Sequence, residues 1–368
     1  MDKYKTICAF NKWFSSIKLK KLPLEVQEKI VQTERYTKKF HFESFLKVFL
    51  YGIDQERESL RELDTAFVSK NLQRTMELES ISHSQLSRVL RQTDPEILWA
   101  IFTQLLDQAR EKNARSLKKA LYLVDSSTFS LNKTRYPWAA FRKTKAGIKL
   151  HLKLCFMDKQ HVYPEDFEIT NAVEHDADHL EIFVDRPLAT YVFDRGYLDY
   201  ERLDAMENQG YFFVTRIKKN SRVHVLKEFP VEKEGKILQD QMVVLGTSSY
   251  LTSPFRLVTL LDEKGKVLRF VTNRFDVTAQ EVADMFQARW QIELFFKHIK
   301  QHLTIKTLFS RDEQGVTNQI ILAMIASLLT YLIQKETGTI KTAFQIKRLL
   351  KHQLFDPFEE WFAKLVPT

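Results

Sequence analysis

The chain has 368 residues, of which 44% are hydrophobic and 12% aromatic, a composition that excludes a disordered protein and allows two or three domains. Lys and Arg outnumber Asp and Glu by 56 to 47, so the net charge of +9 favours a polyanionic partner. The two cysteines, Cys8 and Cys155, exclude a disulfide framework, and without a signal-like N-terminal segment we expect a soluble, cytoplasmic protein.

The first 115 residues are predicted to be helical throughout, because their apolar residues recur at helical spacing. The clearest amphipathic segments lie at 43–53, 58–69, 84–92 and 95–113. In the third segment Ser84 is a candidate N-cap, and the early turns present polar side chains, among them Arg88. Such side chains are typical of a recognition helix, and an ordinary surface helix in a bundle is the alternative interpretation.

From Ala120 onwards the pattern changes to strands that alternate with helices. Two apolar runs each lead into a carboxylate, the first at Asp125 and the second at Asp194. Further strands are predicted at 148–156, 162–169 and 211–217, and helices from about 176 and at 199–208. This alternation predicts an α/β core.

A β-rich segment, residues 219–274, interrupts that core. Its clearest feature is a hairpin of two strands, 255–261 and 267–272, which flank a turn around Gly265. The chain is predicted to be helical after this insertion. The apolar run 320–333 is 14 residues long, too short to span a bilayer, and it indicates a buried helix.

One helix is predicted to carry an acid among bases. Thr278 and Glu281 have the spacing of a capping box that starts it. At about 100° per residue, five side chains fall within an arc of about 80°. These are Phe286, Arg289, Glu293, Lys297 and Lys300. The opposite face has an apolar seam of Ala288, Ile292, Phe295 and Ile299. Taken alone, the stripe is also compatible with a solvated ladder of ion pairs.

Three carboxylates, Asp125, Asp194 and Glu293, are the candidate catalytic and metal-binding residues. A carboxylate at the end of an apolar strand is costly to desolvate unless it is paired or metal-bound, although many such residues only begin a turn. Three hard oxygen ligands suit Mg²⁺ or Mn²⁺, and two such ions can support phosphodiester chemistry. Arg289, Lys297 and Lys300 would then bind the flanking phosphates.

With these residues in place, the chain resembles the DDE transposases of bacterial insertion sequences, in the insertion-sequence-four group. That group has the signature Tyr, two residues, Arg, three residues, Glu, six residues, Lys, and Arg289, Glu293 and Lys300 match it. Phe286 stands where the signature has tyrosine, so the hydroxyl that could contact a phosphate is absent. In the same group a short motif begins at the second catalytic aspartate, and the residues from Asp194 to Tyr197 match it. Arg195 lies within this motif and is therefore a candidate site residue.

The resemblance implies a ribonuclease-H-like mixed sheet flanked by helices, with a β-rich insertion and an all-helical N-terminal DNA-binding region. We expect five segments along the chain. They are residues 1–115 (DNA-end binding), 116–218 (first part of the core), 219–274 (insertion), 275–335 (second part of the core) and 336–368 (helical C-terminal region).

The resemblance also implies an activity and its partners. We expect two Mg²⁺ or Mn²⁺ ions, double-stranded DNA at terminal inverted repeats, target DNA, a homodimeric synaptic complex and no membrane. Tyr197, Arg195 and Arg88 join the stripe residues as candidate DNA contacts. The activity implied is cut-and-paste transposition through a DNA hairpin. The alternatives are a ribonuclease-H-like nuclease without strand transfer and a DNA-binding relative with a decayed catalytic core.

Two further patterns, a pair of histidines and two tryptophans, could be functional or could only be structural. His175 and His179 have helical spacing for a metal site but lack the glutamate of the zinc-protease helix, so we interpret this segment as the start of a helix. Trp138 and Trp290 could stack on an extruded base, and core packing is the preferred interpretation for both.

Overall fold

A computed structural model describes residues 7–174, 176–232, 235–246, 253–302 and 308–366 of the protein. The chain divides into two compact units, each discontinuous in sequence. The first comprises Met1–Ala114, Phe129–Ile148 and Lys297–Thr368, and the second comprises Arg115–Thr128 and Lys149–Phe296. The three candidate catalytic carboxylates all belong to the second unit. The five functional segments expected from the sequence stay a prediction.

The described residues form fourteen α-helices, which together follow the predicted pattern of a helical start, an α/β middle and a helical end. These helices are α1 (Ala9–Phe14), α2 (Leu24–Glu34), α3 (Phe42–Asp54), α4 (Leu60–Ala66), α5 (Lys70–Met76), α6 (His83–Gln92), α7 (Pro95–Lys112), α8 (Asp176–Phe183), α9 (Tyr200–Asn208), α10 (Ala279–Ala288), α11 (Trp290–His302), α12 (Glu313–Thr337), α13 (Ala343–Gln353) and α14 (Phe358–Leu365).

Ten β-strands lie between α7 and α10 in the sequence. They are β1 (Leu121–Leu131), β2 (Ala140–Arg142), β3 (Lys145–Phe156), β4 (Val162–Asn171), β5 (Thr190–Phe193), β6 (Phe212–Arg216), β7 (Val223–Glu228), β8 (Ile237–Leu245), β9 (Phe255–Leu261) and β10 (Val267–Thr272). The sheet has the order β2-β3-β1-β5-β6-β10-β9-β8-β7, and β4 pairs with β3.

The sheet is mixed, as expected for the α/β fold. Strand β5 runs parallel to both β1 and β6, whereas β10, β9, β8 and β7 follow as antiparallel neighbours. The insertion therefore continues the central sheet through the pairing of β10 with β6. Helix α10 packs against β5, β6, β8, β9 and β10, so its position is set by both the core strands and the insertion.

The hairpin of β9 and β10 has the predicted bounds because its signals are local. Gly265 adopts φ +72°, a left-handed conformation that favours glycine, and its N–H donates to the carbonyl oxygen of Asp262 at 3.0 Å. The carboxylate of Asp262 also accepts from the N–H of Lys266 at 2.8 Å. These hydrogen bonds all lie within residues 262–266, so the turn is specified locally.

Helix α12 is the core of the first unit. It packs against α3, α6, α7 and α13, and its 25 residues include the predicted buried run. By length and composition it could cross a membrane, yet 83% of that apolar window is buried, as in the core helix of a soluble protein. Its polar Asn318 donates hydrogen bonds to the carbonyl oxygens of Leu90 and Thr93, both at 2.8 Å. Those bonds tie the end of α6 to the core.

The candidate recognition helix α6 begins earlier than predicted. Ser82, rather than Ser84, is its N-cap, and the Ser82 hydroxyl accepts from the N–H of Gln85 at 3.2 Å. The sequence offers a capping hydroxyl at both positions, and in the structure the N–H of His83, the first residue of the helix, also donates to Oδ2 of Asp64 at 3.1 Å. Arg88 consequently lies on the exposed face.

Candidate active site

Asp125 and Asp194 lie side by side at one position of the sheet. The parallel register pairs Val124 of β1 with Phe193, the last residue of β5, and an aspartate follows each of them in the sequence. Neighbouring strands are about 4.8 Å apart, which makes the two carboxylates close neighbours. The prediction that β1 ends at Asp125 is wrong. The strand continues to Leu131, because the residues after Asp125 resume an alternation of buried and exposed side chains, and only the pairing with β5 stops there.

The predicted single helix carrying the stripe is two helices. Helix α10 begins with the capping box of Thr278 and Glu281, as predicted, and ends at Ala288, and α11 begins at Trp290. Arg289 keeps helical dihedral angles, but its N–H donates to the carbonyl oxygen of Phe286, three residues back. The junction is therefore a tighter turn than an α-helix.

Arg289 joins two of the three candidate carboxylates. Its Nη1 donates to Oδ2 of Asp125 at 2.9 Å, and its Nη2 donates to Oε1 of Glu293. The guanidinium is half-buried, so its charge is weakly screened and the contacts with both acids are stronger than on an exposed surface. The sequence predicted Arg289 only as a phosphate ligand, and this bridge to Asp125 was not foreseen.

The environment of Asp125 disfavours its charged form. Burial raises the pKa of Asp125 to about 6, and the negative charges of Asp194 and Glu293 add to the rise. The hydrogen bond from the N–H of Ser126, at 2.8 Å, and the charge of Arg289 act in the opposite direction. Asp194 and Glu293 are thus close enough to Asp125 to influence its ionisation.

Phe286 supports Arg289 by packing. Its ring is buried and lies 4.6 Å from the ring of Phe270 on β10, centroid to centroid. The guanidinium carbon of Arg289 lies 5.7 Å from the Phe286 ring centroid, and that of Arg216 lies 6.0 Å from it. This ring therefore fixes the Arg side chain that reaches the acids. Arg216 is a neighbour that the helical pattern could not reveal, because it comes from β6.

The three carboxylates have the chemistry of a divalent-ion site. Aspartate and glutamate oxygens are the ligands that Mg²⁺ and Mn²⁺ prefer, and here they come from two strands and one helix. Among the described residues, no group of three or more His, Cys, Asp and Glu side chains is close enough to hold a metal ion. Arg289 stands between Asp125 and Glu293, so binding of an ion by all three acids requires this guanidinium to move.

The other predicted DNA contacts lie at several places. Arg195 is exposed in the short 3₁₀-helix after Asp194, and Tyr197 is buried with its ring 6.2 Å from that of Phe193.

Lys297 and Lys300 are exposed on the part of α11 that belongs to the first unit. Lys300 lies above the ring of Phe129 at 5.8 Å. Arg88, also in the first unit, donates to Gln85 at 2.6 Å.

Two of the weighed alternatives have a structural outcome. His175 lies outside the described residues, and both ring nitrogens of His179 contact carboxylates, those of Glu168 at 2.7 Å and Glu174 at 2.9 Å. His179 therefore belongs to a polar cluster with two glutamates. The expectation that Trp290 packs in the core is wrong, since 58% of it is exposed at the start of α11, directly after Arg289. Trp138 is half-buried and donates to the carbonyl oxygen of Arg311 at 2.8 Å.

Comparison with known proteins assigns the family. A family model described as the transposase DDE domain matches residues 116–329, which include all three acids and Arg289. The chain belongs to the DDE transposase family. The predicted resemblance to DDE transposases is thereby confirmed at the level of the family. The protein is an enzyme of a class that acts on DNA.

Relatives of this DDE transposase carry matching names. A protein of Geobacillus stearothermophilus, "Probable transposase for insertion sequence element IS5377", is 32% identical over 265 residues, covering 71% of this chain and 69% of the relative. A protein of Sinorhizobium fredii that also carries a transposase name is 32% identical over 234 residues, covering 62% of this chain and 65% of that relative. The similarity thus extends well beyond the three acidic positions.

The fold also has a counterpart among solved structures. The cryo-electron microscopy structure of a piggyBac transposase synaptic complex with hairpin DNA aligns with 98% of this DDE transposase and 84% of that chain. The TM-score is 0.50 and the sequence identity is 11%, so the likeness concerns the fold alone.

Proposed function

We propose that this DDE transposase catalyses cut-and-paste transposition of an insertion sequence of the insertion-sequence-four group. The observation that carries the proposal is the convergence of Asp125, Asp194 and Glu293 on two adjacent strands and one helix, with Arg289 bonded to two of them. Double-stranded DNA at the terminal inverted repeats is the first substrate, and target DNA is the second. The working assembly is a homodimer that holds both ends.

The reaction is phosphodiester hydrolysis at the element end, followed by attack of the freed 3′-hydroxyl on another phosphodiester. Asp125, Asp194 and Glu293 would hold two Mg²⁺ or Mn²⁺ ions, whose charge would serve to activate the attacking oxygen and stabilise the leaving oxygen. Carboxylates bind such ions in their ionised form, and burial of Asp125, which raises its pKa to about 6, opposes that form.

The basic residues of the stripe orient the substrate. Once released from the two acids, Arg289 would bind a phosphate next to the scissile bond, a role for which its planar fork of donors is suited. Lys297 and Lys300, on α11, bind phosphates as point charges. The ring of Phe286, which packs on Phe270 of β10, flanks the Arg289 side chain.

A strand-joining assay tests the proposal independently of cleavage. A labelled duplex with a pre-cut 3′-hydroxyl at the element end is incubated with target plasmid, Mg²⁺ and the purified protein. We expect joined product with wild type and with Glu263→Gln, a charge-matched change in the exposed turn of the insertion, and none with Asp194→Asn. Cleavage of uncut ends without joining of the pre-cut end would identify a nuclease and overturn the proposal.

A further inference from the structure

A groove of about 540 Å³ opens on the first unit, between α4, α6 and the segment that leads into α12. Leu60 and Phe309, both buried, form its apolar floor. Its rim carries three arginines, Arg61, Arg91 and Arg311, and none of the described residues that line it is a carboxylate. The groove therefore combines an apolar base with a concentrated positive charge.

The three arginines are available to a ligand. All are exposed, and within the described part of the chain none forms an ion pair with an acid. Three guanidinium groups without acidic partners repel one another around this concave surface. A bound anion would relieve that repulsion. The hydroxyls of Ser84 and Ser87, on α6, line the same surface and add hydrogen-bonding groups.

The groove is built on rigid elements. The stem of Arg91 packs against α12 at Gly315, where an added Cβ would lie 3.2 Å from the Arg91 Cγ, and its Nε donates to the carbonyl oxygen of Ser87 at 3.3 Å. The backbone of Arg311 accepts the hydrogen bond from Trp138. The N–H of Phe309 donates to the side chain of Gln319 at 2.8 Å. The Arg91 side chain is thus positioned before a ligand binds and loses little freedom on binding.

We propose that this groove binds the phosphodiester backbone of duplex DNA at the element end. Guanidinium forks and hydroxyls are the groups that bind successive phosphates, and the apolar floor suits the sugar edge that lies between them. Helix α6, which lines the groove, also carries Arg88. DNA bound in the groove would therefore lie against α6. The inference rests on the proposed transposase function, and it assigns the contact to backbone positioning rather than to the reading of base sequence.

The test measures DNA binding without catalysis. A fluorescent duplex carrying the element end is titrated in EDTA with wild type and with the triple variant Arg61→Gln, Arg91→Gln, Arg311→Gln, at several salt concentrations. Each lost phosphate contact lowers the slope of log affinity against log salt by about 0.9. We expect the slope to fall by about 2 to 3 and the affinity at physiological salt to fall at least about tenfold.

Two comparison proteins separate the groove from net charge and from misfolding. Lys18→Gln, Lys20→Gln, Lys21→Gln removes three exposed charges of the same unit elsewhere and should bind more tightly than the groove variant. Arg61→Lys, Arg91→Lys, Arg311→Lys keeps the charge and should retain most of the salt slope. A groove variant that binds with the wild-type affinity and slope overturns the inference and leaves the transposase function standing. A wild-type protein that binds no DNA overturns both.

Discussion

Nη1 of Arg289 donates to Oδ2 of Asp125 at 2.9 Å, and the two residues are 164 positions apart in the sequence. The same guanidinium contacts Glu293 through Nη2. A cation thus lies between two of the acids that are proposed to hold the divalent ions. Arg289 offsets their repulsion in the ion-free protein, and an ion that takes this place must displace it.

Replacing Arg289 by Ala should therefore tighten the binding of Mn²⁺ by about ten- to 150-fold, because the ion no longer displaces a charge-assisted hydrogen bond worth about 1.5–3 kcal/mol. Electron paramagnetic resonance of free Mn²⁺, without DNA, measures this directly. Arg274→Ala is the matched control, since Arg274 pairs with Asp276 and not with the candidate site. Equal or weaker binding by Arg289→Ala would show that the guanidinium does not compete with the ion.

Phe286→Tyr tests the departure from the signature. The added hydroxyl restores the group that could bind a phosphate, and one such hydrogen bond is worth about 1–2 kcal/mol in the transition state, or roughly five- to thirty-fold in rate. We expect faster end cleavage with little change in the unfolding free energy, because the ring keeps its packing on Phe270. The measurement is the rate of end cleavage by wild type and by Phe286→Tyr on the same duplex. An unchanged or lower rate for Phe286→Tyr counts against a role for the hydroxyl.

A buried ion pair connects the insertion to the start of α10. Nε and Nη2 of Arg256 donate to the two carboxylate oxygens of Asp240 at 2.8 and 2.7 Å, and Nη1 donates to the carbonyl oxygen of Val277, just before the capping box. Asp240→Ala leaves the Arg256 charge buried and unpaired, so we expect a loss of about 3–5 kcal/mol in the free energy of unfolding by urea.

The control for this experiment is Asp276→Ala, which removes the exposed partner of Arg274. A surface pair contributes about 0–1 kcal/mol, so the loss should be small. Equal losses for the two variants would mean that the Asp240–Arg256 pair does not anchor the insertion.

The parts of this protein that the sequence predicted are those with local causes. The hairpin of β9 and β10 and the capping box at Thr278 depend on residues within one turn of each other, and both are confirmed. The break at Arg289 could not be predicted, because it accompanies a contact with Asp125 that only the folded sheet creates. Helix α1, with six residues, is too short to show helical periodicity.

The sequence predicted the acids of the candidate site but not the arginine contacts around them. The strand patterns indicated Asp125 and Asp194, and their adjacency follows from the parallel register of β1 and β5. The arginine bridge and the neighbouring Arg216 come from side chains that meet across the fold, for which a single sequence has no signal. Trp290 is exposed although its size favours the core, since it begins α11 on the side away from the buried Ile292.

Asp54 predicts a pH dependence of stability in the first unit. Burial raises the pKa of Asp54 to about 6, against the lowering effects of Lys347, Gln55 and Lys351. The folded state therefore holds this proton at a pH where the unfolded state has lost it. Its contribution to stability is fully present below about pH 4 and is lost as the pH rises to about 6, by about 3 kcal/mol in total.

Asp54→Asn removes this contribution. The unfolding free energy of the variant relative to wild type should rise by about that amount between pH 4 and 6 and then stay level. Urea denaturation at a series of pH values measures the difference. Asp107→Asn, an exposed aspartate on α7, should run parallel to wild type. If the Asp54→Asn curve is also parallel, Asp54 does not titrate in this range.

End cleavage by Glu293→Gln tests the central claim most directly. Glutamine keeps the size of the side chain and removes the charge that is proposed to hold the divalent ions, so several kcal/mol of transition-state stabilisation should be lost. With a labelled duplex of the element end and Mg²⁺, we expect the cleavage rate to fall about a thousandfold or more, while Glu263→Gln cleaves like wild type. Glu293→Gln that cleaves within a few-fold of the wild-type rate would contradict the account.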